Sequence, residues 1–123
     1  MAHNGRIVIA LSNIETANKL KSLLTQEGYD IISLCTSGNE LIRLVLQYSP
    51  DLVLVGYKFK DMSLLDVYET LYDATSFLAI VNEPYRSYIE EDTDIYCMEP
   101  RFLMYFLQMP LIWFFKVKEE LKS

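Results

Sequence analysis

The segment Pro50-Asp51-Leu52-Val53-Leu54-Val55-Gly56 decides the fold of this chain. Its central residues are all apolar, so it lacks the alternation of a strand with one face in water. Such a run, bounded by proline and glycine, is typical of a strand buried on both faces of a parallel sheet. Arg6–Leu11 and Phe77–Val81 show the same pattern, so these three are predicted as central strands. Ile31–Cys35 and Ile95–Met98 are predicted as shorter strands between the helices.

Two helices are predicted from capping boxes, in which a serine and an acidic side chain satisfy N–H groups at the helix start. The first begins at Ser12 with Glu15 and runs to about Glu27. The second begins at Ser37 with Glu40 and ends before the proline of the quoted segment. Each carries an apolar stripe at helical spacing: Ala17, Leu20 and Leu24 in the first, and Leu41, Leu44, Val45 and Tyr48 in the second.

Two further helices are predicted in the second half of the chain. Ser63 is a candidate cap for the third, whose expected apolar side consists of Leu64, Tyr68, Leu71 and Tyr72. Only about 17 residues separate the end of the fourth strand from Glu99, so the fourth helix is predicted to be shortened to a turn or two. Pro84 suits its first position, with Tyr85, Tyr88 and Ile89 as its apolar face.

This frame resembles the receiver domain of two-component response regulators. In that family the third strand ends in an aspartate that accepts a phosphoryl group, and Gly56 stands at that position. The first strand normally ends in two acids that hold a magnesium ion, where this chain has Leu11 and Ser12. A hydroxyl-bearing residue normally ends the fourth strand, and here the register leaves either Val81 or Asn82.

The fifth strand of the family normally ends in a lysine and a proline joined by a cis peptide, whereas this chain has Glu99-Pro100. Tyr96 matches the mobile aromatic position of the family. The resemblance thus implies a vestigial phosphorylation pocket without catalytic residue, metal or cofactor, formed by Leu11, Ser12, Gly56, Asn82 and Glu99. Glycine offers neither a nucleophile nor an oxygen ligand for magnesium, and a glutamate repels phosphoryl charge.

The implied fold is α/β and flavodoxin-like (receiver-type), a doubly wound five-stranded parallel sheet in the order 2-1-3-4-5. The 123 residues are few enough for one domain, so residues 1–123 are predicted to form a single receiver-like unit. The resemblance is strongest over residues 6–100, while residues 101–123 are predicted as an atypical C-terminal helical segment.

The implied fold has a crevice at the carboxyl ends of strands one and three. Five residues are expected around it: Leu11, Ser12, Gly56, Tyr57 and Lys58. One interpretation is a filled, vestigial pocket, because Leu11 and Tyr57 are bulky. The other is a small-ligand site, with an anionic ligand held by Lys58, Lys60 and helix amino termini. Asp61, on the same loop, is interpreted as a surface aspartate, because a phosphoacceptor there would lack a metal site.

The C-terminal segment Phe102–Phe115 is apolar apart from Gln108 and contains one helix breaker, Pro110. Fourteen residues are too few to span a bilayer, which takes about 20. Because the segment is apolar nearly all round, one sheet cannot cover it, and contact with another subunit or an output domain is expected. The predicted homodimer interface comprises Phe102, Tyr105, Trp113 and Phe114.

Composition narrows the function further. A net charge of −6 argues against direct binding of nucleic acid. The short polar start lacks a signal peptide, which favours a cytoplasmic protein, and Cys35 and Cys97 are expected to be buried and reduced. No motif supports an enzyme, and the lone histidine is His3. We therefore predict a phosphorylation-independent pseudo-receiver that mediates protein–protein interaction in signal transduction or gene regulation, with ligand sensing in the crevice as the alternative.

Overall fold

The computed structural model describes residues 5–102, which form a five-stranded parallel sheet with helices on both faces. The strands are β1 Gly5–Ala10, β2 Tyr29–Cys35, β3 Leu52–Val55, β4 Ser76–Ile80 and β5 Tyr96–Met98. Their spatial order is β2-β1-β3-β4-β5, which confirms the predicted flavodoxin-like, doubly wound topology.

Helices alternate with the strands along the described chain. They are α1 Ile14–Gln26, α2 Gly38–Tyr48, α3 Leu64–Leu71 and α4 Tyr85–Asp92, followed by a 3-10 turn at Pro100–Phe102. At eight residues α4 spans about two turns, as predicted. No helix within residues 5–102 is both long and apolar enough to cross a membrane. Most of the C-terminal segment, including Tyr105, Trp113 and Phe114, lies outside the described residues, and Phe102 is the last of them.

The core has two layers because the central strands alternate their side chains between the two faces of the sheet. In β3, Val53 and Val55 pack on the side of α2, α3 and α4, while Leu52 and Leu54 pack on the side of α1. No charged or amide side chain among residues 5–102 is buried, and Tyr29 is the one buried side chain there with a hydroxyl group. Cys35 and Cys97 are buried free thiols in the first layer, as predicted.

The start of α1 differs from the prediction. The N-cap is Asn13, not Ser12: the Asn13 side chain accepts hydrogen bonds from the backbone N–H groups of Glu15 at 3.0 Å and Thr16 at 3.2 Å. An asparagine one residue closer to the helix reaches the same free N–H groups that a serine cap would satisfy. Ser12 is therefore exposed and not engaged in capping.

The other two serine caps are confirmed. Ser37 accepts a hydrogen bond from the backbone N–H of Glu40 at 3.2 Å, at the start of α2. Ser63 and Asp66 form a reciprocal capping box at the start of α3. Both helices therefore begin where the sequence placed them.

Four tyrosines predicted on apolar helix faces are instead exposed, the first of them Tyr48 at the end of α2, which is 40% exposed. In α3 the buried face comprises Leu64, Val67 and Leu71, and Tyr72 is 62% exposed. In α4 only Ile89 is buried, while Tyr85 and Tyr88 are 42% and 48% exposed. Smaller aliphatic side chains thus fill the space next to the sheet, and the tyrosine rings lie at the surface. Pro84 also differs slightly, because it occupies the N-cap of α4 and not its first turn.

Candidate functional site

The strands end together at one edge of the sheet, which we call the carboxyl edge. Ala10 of β1 pairs with Val55 of β3, which pairs in turn with Ala79 of β4. Ile80 then pairs with Met98 at the end of β5. The residues that follow these strands therefore meet at the carboxyl edge, which is where parallel α/β sheets form their binding sites.

Gly56 lies at the centre of this edge, immediately after β3. Its backbone N–H donates a 3.4 Å hydrogen bond to the carbonyl oxygen of Ala10. A Cβ atom placed on Gly56 would contact only Leu11 Cδ2, at an ordinary 3.7 Å. The position has room for a side chain but carries none, so packing does not explain the glycine.

Leu11 occupies the first of the two positions at which the resemblance implies metal-binding acids. It is 8% exposed and packs in the core layer beneath α1, with Leu20 and Leu54. Leu11 is thus a buried apolar residue at a position where the resemblance implies an acid. Among residues 5–102, no cluster of three or more His, Cys, Asp or Glu side chains is arranged to hold a metal ion.

Two cavities nevertheless flank Gly56. The first, which we call the tyrosine cavity, has a volume of about 370 Å³ and is lined by Tyr57, Tyr85, Lys58, Asn82 and Glu83. The second, the leucine cavity, has a volume of about 440 Å³ and is lined by Leu11, Leu20, Thr16 and Lys19. Ser12, Gly56, Ile80 and Pro100 line both. The two cavities therefore form one crevice along the carboxyl edge.

Tyr57 forms a wall of this crevice and does not fill it. Its ring stacks on the ring of Tyr85, with centroids 4.7 Å apart and an interplanar angle of 29°. The rings of Tyr85 and Tyr88 form an edge-type contact, with centroids 6.4 Å apart. The loop after β3 and the start of α4 are thus joined by an aromatic contact next to Gly56.

Three polar side chains of the crevice have no hydrogen-bond or ion-pair partner in the described part of the chain: Ser12, Lys58 and Asn82. Of the two candidates at the end of β4, Val81 is 6% exposed and belongs to the core, whereas Asn82 is exposed. Asn82 is therefore the residue that presents a polar group here. Lys60, also considered from sequence, is exposed and does not line either cavity.

Glu99 lies beside the crevice, outside the lining of both cavities. One carboxylate oxygen lies 2.7 Å from Arg101 Nε and the other lies 3.9 Å from Arg86 Nη1. The negative charge of Glu99, at the position where the resemblance implies a lysine, is thus paired with two arginines. The cis peptide bond among residues 5–102 is Glu83-Pro84.

Tyr96, the predicted mobile aromatic residue, is half-buried on the sheet face that α1 covers. It packs against the core layer that contains Leu78, its backbone partner in β4. The residue is therefore part of the sheet packing in this structure.

Asp61 contacts the neighbouring helix α2, a contact that the sequence did not predict. Its carboxylate accepts hydrogen bonds from the backbone N–H groups of Gly38 at 2.8 Å and Asn39 at 3.0 Å, at the amino end of α2. These hydrogen bonds lower the pKa of the Asp61 carboxyl. The loop between β3 and α3 is thereby attached to the neighbouring helix. Local sequence patterns give no signal of this contact because the partners are more than 20 residues apart.

Comparison with known proteins identifies the fold. No protein-family model and no curated protein sequence matches the chain. Among solved structures, the receiver domain of a sensor histidine kinase from Pseudomonas aeruginosa, with magnesium coordinated in its active-site cleft, is 15% identical. The match covers 87% of this chain and 96% of that domain, with a TM-score of 0.70. The chain has the fold of a response regulator receiver domain.

Two longer proteins share this receiver fold. The anti-anti-sigma factor PhyR from Bartonella quintana is 16% identical, with a TM-score of 0.72 over 98% of this chain and 51% of PhyR. A redox sensor from streptococci, of a family described as evolved from two-component response regulators, is 18% identical. Its TM-score is 0.74 over 95% of this chain and 53% of the sensor. The chain thus spans about half the length of these two proteins, and 42% of a mutant PhyR chain.

Proposed function

We propose that this receiver-fold chain is a phosphorylation-independent signalling module that acts by binding other proteins. The observation that carries the proposal is Gly56 at the centre of the carboxyl edge. A phosphoryl group needs a nucleophilic side chain, and Gly56 offers none although a Cβ atom would fit there. Leu11 and Ser12 supply no carboxylate for magnesium, whose preferred ligands are oxygens of carboxylates and water.

The solved relatives support a role in signalling through protein contacts. PhyR is named an anti-anti-sigma factor, a role exercised on another protein, and the streptococcal family is named as redox sensors derived from response regulators. In both, a receiver fold is part of a longer protein. We propose by analogy that the present chain is a module that binds a protein partner or an output domain in signal transduction or gene regulation.

Self-association is part of this proposal. Phe102–Phe115 has far more apolar residues than one amphipathic helix face needs, and a twofold interface lets one patch serve both subunits. Direct nucleic-acid binding is not proposed because the net charge of −6 would repel phosphates. The buried free thiols Cys35 and Cys97 are consistent with the reducing cytoplasm.

Incubation with acetyl phosphate and magnesium, followed by intact-mass measurement, tests the proposal. The unmodified chain is expected to gain no acid-labile phosphate. Gly56→Asp alone is also expected to remain unlabelled, because Leu11 and Ser12 leave the metal without acids. The matched control is the triple variant Leu11→Asp, Ser12→Asp, Gly56→Asp, in which labelling would show that the assay can detect a rebuilt site. A stoichiometric phosphate adduct on the unmodified chain contradicts the proposal.

A second candidate function is the sensing of a small ligand, and the two cavities that meet at Gly56 favour it. Their volumes, about 370 and 440 Å³, lie within the usual range of small-molecule sites. Ligand binding is compatible with phosphorylation independence, since an occupied crevice could control the contacts of the same module. The two candidates are separated by direct binding measurements on the crevice.

A further inference from the structure

We infer that the crevice at the carboxyl edge binds a small organic carboxylate with an apolar body. This inference rests on the ligand-sensing candidate and adds the chemical class of the ligand. The head group would lie in the tyrosine cavity near Lys58, and the apolar body would lie in the leucine cavity.

The two cavities adjoin each other, because both are bounded by Ser12, Gly56, Ile80 and Pro100. The inferred ligand would occupy both. Gly56 has no Cβ at this junction, and the nearest atom that a Cβ would meet is Leu11 Cδ2 at 3.7 Å. A larger side chain at this position would narrow the passage between the cavities.

The leucine cavity suits an apolar group. Its apolar walls include Leu11, Leu20 and Ile80, and its polar lining residues include Thr16 and Lys19. An apolar group that moves from water onto these walls has its own surface removed from water, which is the main source of affinity for small apolar groups. An alkyl chain or a phenyl ring matches this half of the crevice.

The tyrosine cavity suits a carboxylate. The Ser12 hydroxyl, the Asn82 amide and the Lys58 ammonium can all donate hydrogen bonds, and none has a partner within the described residues. A hydrogen bond between an ammonium and a carboxylate is among the stronger polar contacts in proteins. Three unused donors around one cavity therefore indicate a ligand with acceptor oxygens.

The charge balance favours a carboxylate over a phosphate. Glu83 lines the same cavity as Lys58, so the cavity contributes one positive and one negative side chain. Attraction to Lys58 and repulsion from Glu83 both double for a dianionic phosphate, whereas the cost of removing an anion from water grows faster than its charge, so the singly charged carboxylate is favoured. The stacked Tyr57 and Tyr85 rings add an apolar wall next to the head group.

Titration of the intact chain with phenylacetate, followed by ¹H–¹⁵N NMR, tests the inference. Phenylacetamide, phenethylamine and phenyl phosphate share the aromatic ring and vary the charge of the head. Phenylacetate is expected to shift the amide signals of Ser12, Gly56 and Asn82 at millimolar concentration or below. The neutral and cationic analogues are expected to bind at least about tenfold more weakly, since neither carries a negative charge to pair with the Lys58 ammonium.

Two lysines of one loop provide a matched pair of variants. Lys58→Gln is expected to weaken phenylacetate binding at least about tenfold, because it removes the charged donor of the tyrosine cavity. Lys60→Gln changes the net charge equally but lies outside both cavities, so it is expected to change binding less than about twofold. Both side chains are exposed, so neither change should impair folding.

The outcomes separate the inference from the function on which it rests. If phenylacetamide or phenyl phosphate shifts the same amides with equal or higher affinity, the crevice is a ligand site but the carboxylate inference is wrong. Equal loss of binding in Lys58→Gln and Lys60→Gln also overturns the inference. If no probe shifts these amides at millimolar concentration, both the inference and the ligand-sensing candidate fail, while phosphorylation independence is unaffected.

Discussion

The carboxylate of Asp61 accepts a 2.8 Å hydrogen bond from the backbone N–H of Gly38, the first residue of α2. Its second oxygen accepts a 3.0 Å hydrogen bond from Asn39. The loop after β3 thus places a negative charge at the amino end of a helix, where free N–H groups and the helix dipole stabilise an anion. This contact connects a loop that borders the crevice with the neighbouring helix α2.

Asp61→Ala is expected to lower the free energy of unfolding at neutral pH. The backbone hydrogen bonds lower the Asp61 pKa in the folded state, so their stabilising effect is present above the ordinary carboxyl pKa. It is lost as the pH falls through the folded-state pKa, below about 4. Urea unfolding from pH 7 down to about pH 3 should therefore show the two proteins converging. Asp73→Ala is the control, because that exposed carboxylate has no partner within residues 5–102; equal effects of both changes would contradict the prediction.

Two glycines should respond differently to alanine. A Cβ on Gly38 would overlap the Met62 side chain and press on Val67 Cγ2 at 3.1 Å, so Gly38→Ala should cost about 1–3 kcal/mol. Gly56→Ala should change stability by less than about 0.5 kcal/mol, since its Cβ meets only Leu11. Chemical denaturation measures both. In a Met62→Ala background the cost of Gly38→Ala should shrink, and an unchanged cost would show that Met62 is not the cause.

Leu11→Asp is expected to destabilise the chain by about 2–4 kcal/mol, because it buries a carboxylate without a partner. Leu11 is 8% exposed at the crevice and packs beneath α1. The control is Leu46→Asp on α2, where the leucine is 66% exposed and a charge remains in water. An unchanged urea midpoint for Leu11→Asp would mean that water reaches this position.

The two cysteines are expected to be unreactive in the folded state. Burial raises the pKa of Cys35 to about 12 and that of Cys97 to about 11. The thiolate is the reactive form, so labelling by iodoacetamide at pH 8 should be very slow until urea unfolds the chain. Mass spectrometry follows the labelling. Rapid modification of either thiol under native conditions would contradict this expectation and would favour a redox function for that cysteine.

Self-association through the C-terminal segment is expected in solution. Trp113 and Phe114 are the proposed anchors, since large aromatic residues often contribute about 2 kcal/mol or more to an interface. Sedimentation across a concentration series should show a dimer or larger species, and Trp113→Ala with Phe114→Asp should weaken it. Trp113→Phe is the conservative control, because it retains an aromatic ring. A monomer at high micromolar concentration would contradict the proposal.

The sheet could be predicted from sequence because its strands are continuous apolar runs. Leu52–Val55 contributes side chains to both core layers, and only a strand covered on both faces needs four apolar residues in succession. The caps at Ser37 and Ser63 could also be predicted from the sequence, since their hydrogen-bond partners lie three residues away. Such features depend on neighbours in the chain and are therefore visible in the sequence.

The features that the sequence did not reveal depend on packing between distant segments. Tyr72 and Tyr85 have the spacing of core residues, but smaller side chains occupy the space next to the sheet. Asp61 accepts its hydrogen bonds from the start of α2, and Asn13, not the predicted Ser12, caps α1. The residues around the crevice could be predicted from the resemblance. The open cavities beside the buried Leu11 could not be predicted from the sequence.

No charged side chain is buried in residues 5–102, so the interior offers few groups through which a molecule bound in the crevice would act on distant parts of the fold. The buried titratable groups within these residues are the phenol of Tyr29 and the thiols of Cys35 and Cys97, and burial raises the pKa of each, so the interior keeps one protonation state at neutral pH. We therefore expect any effect of binding in the crevice to pass through loops and helix ends at the surface. The loop that carries Tyr57, Lys58 and Asp61 is such a route, since it contacts α4 through a ring stack and α2 through a carboxylate.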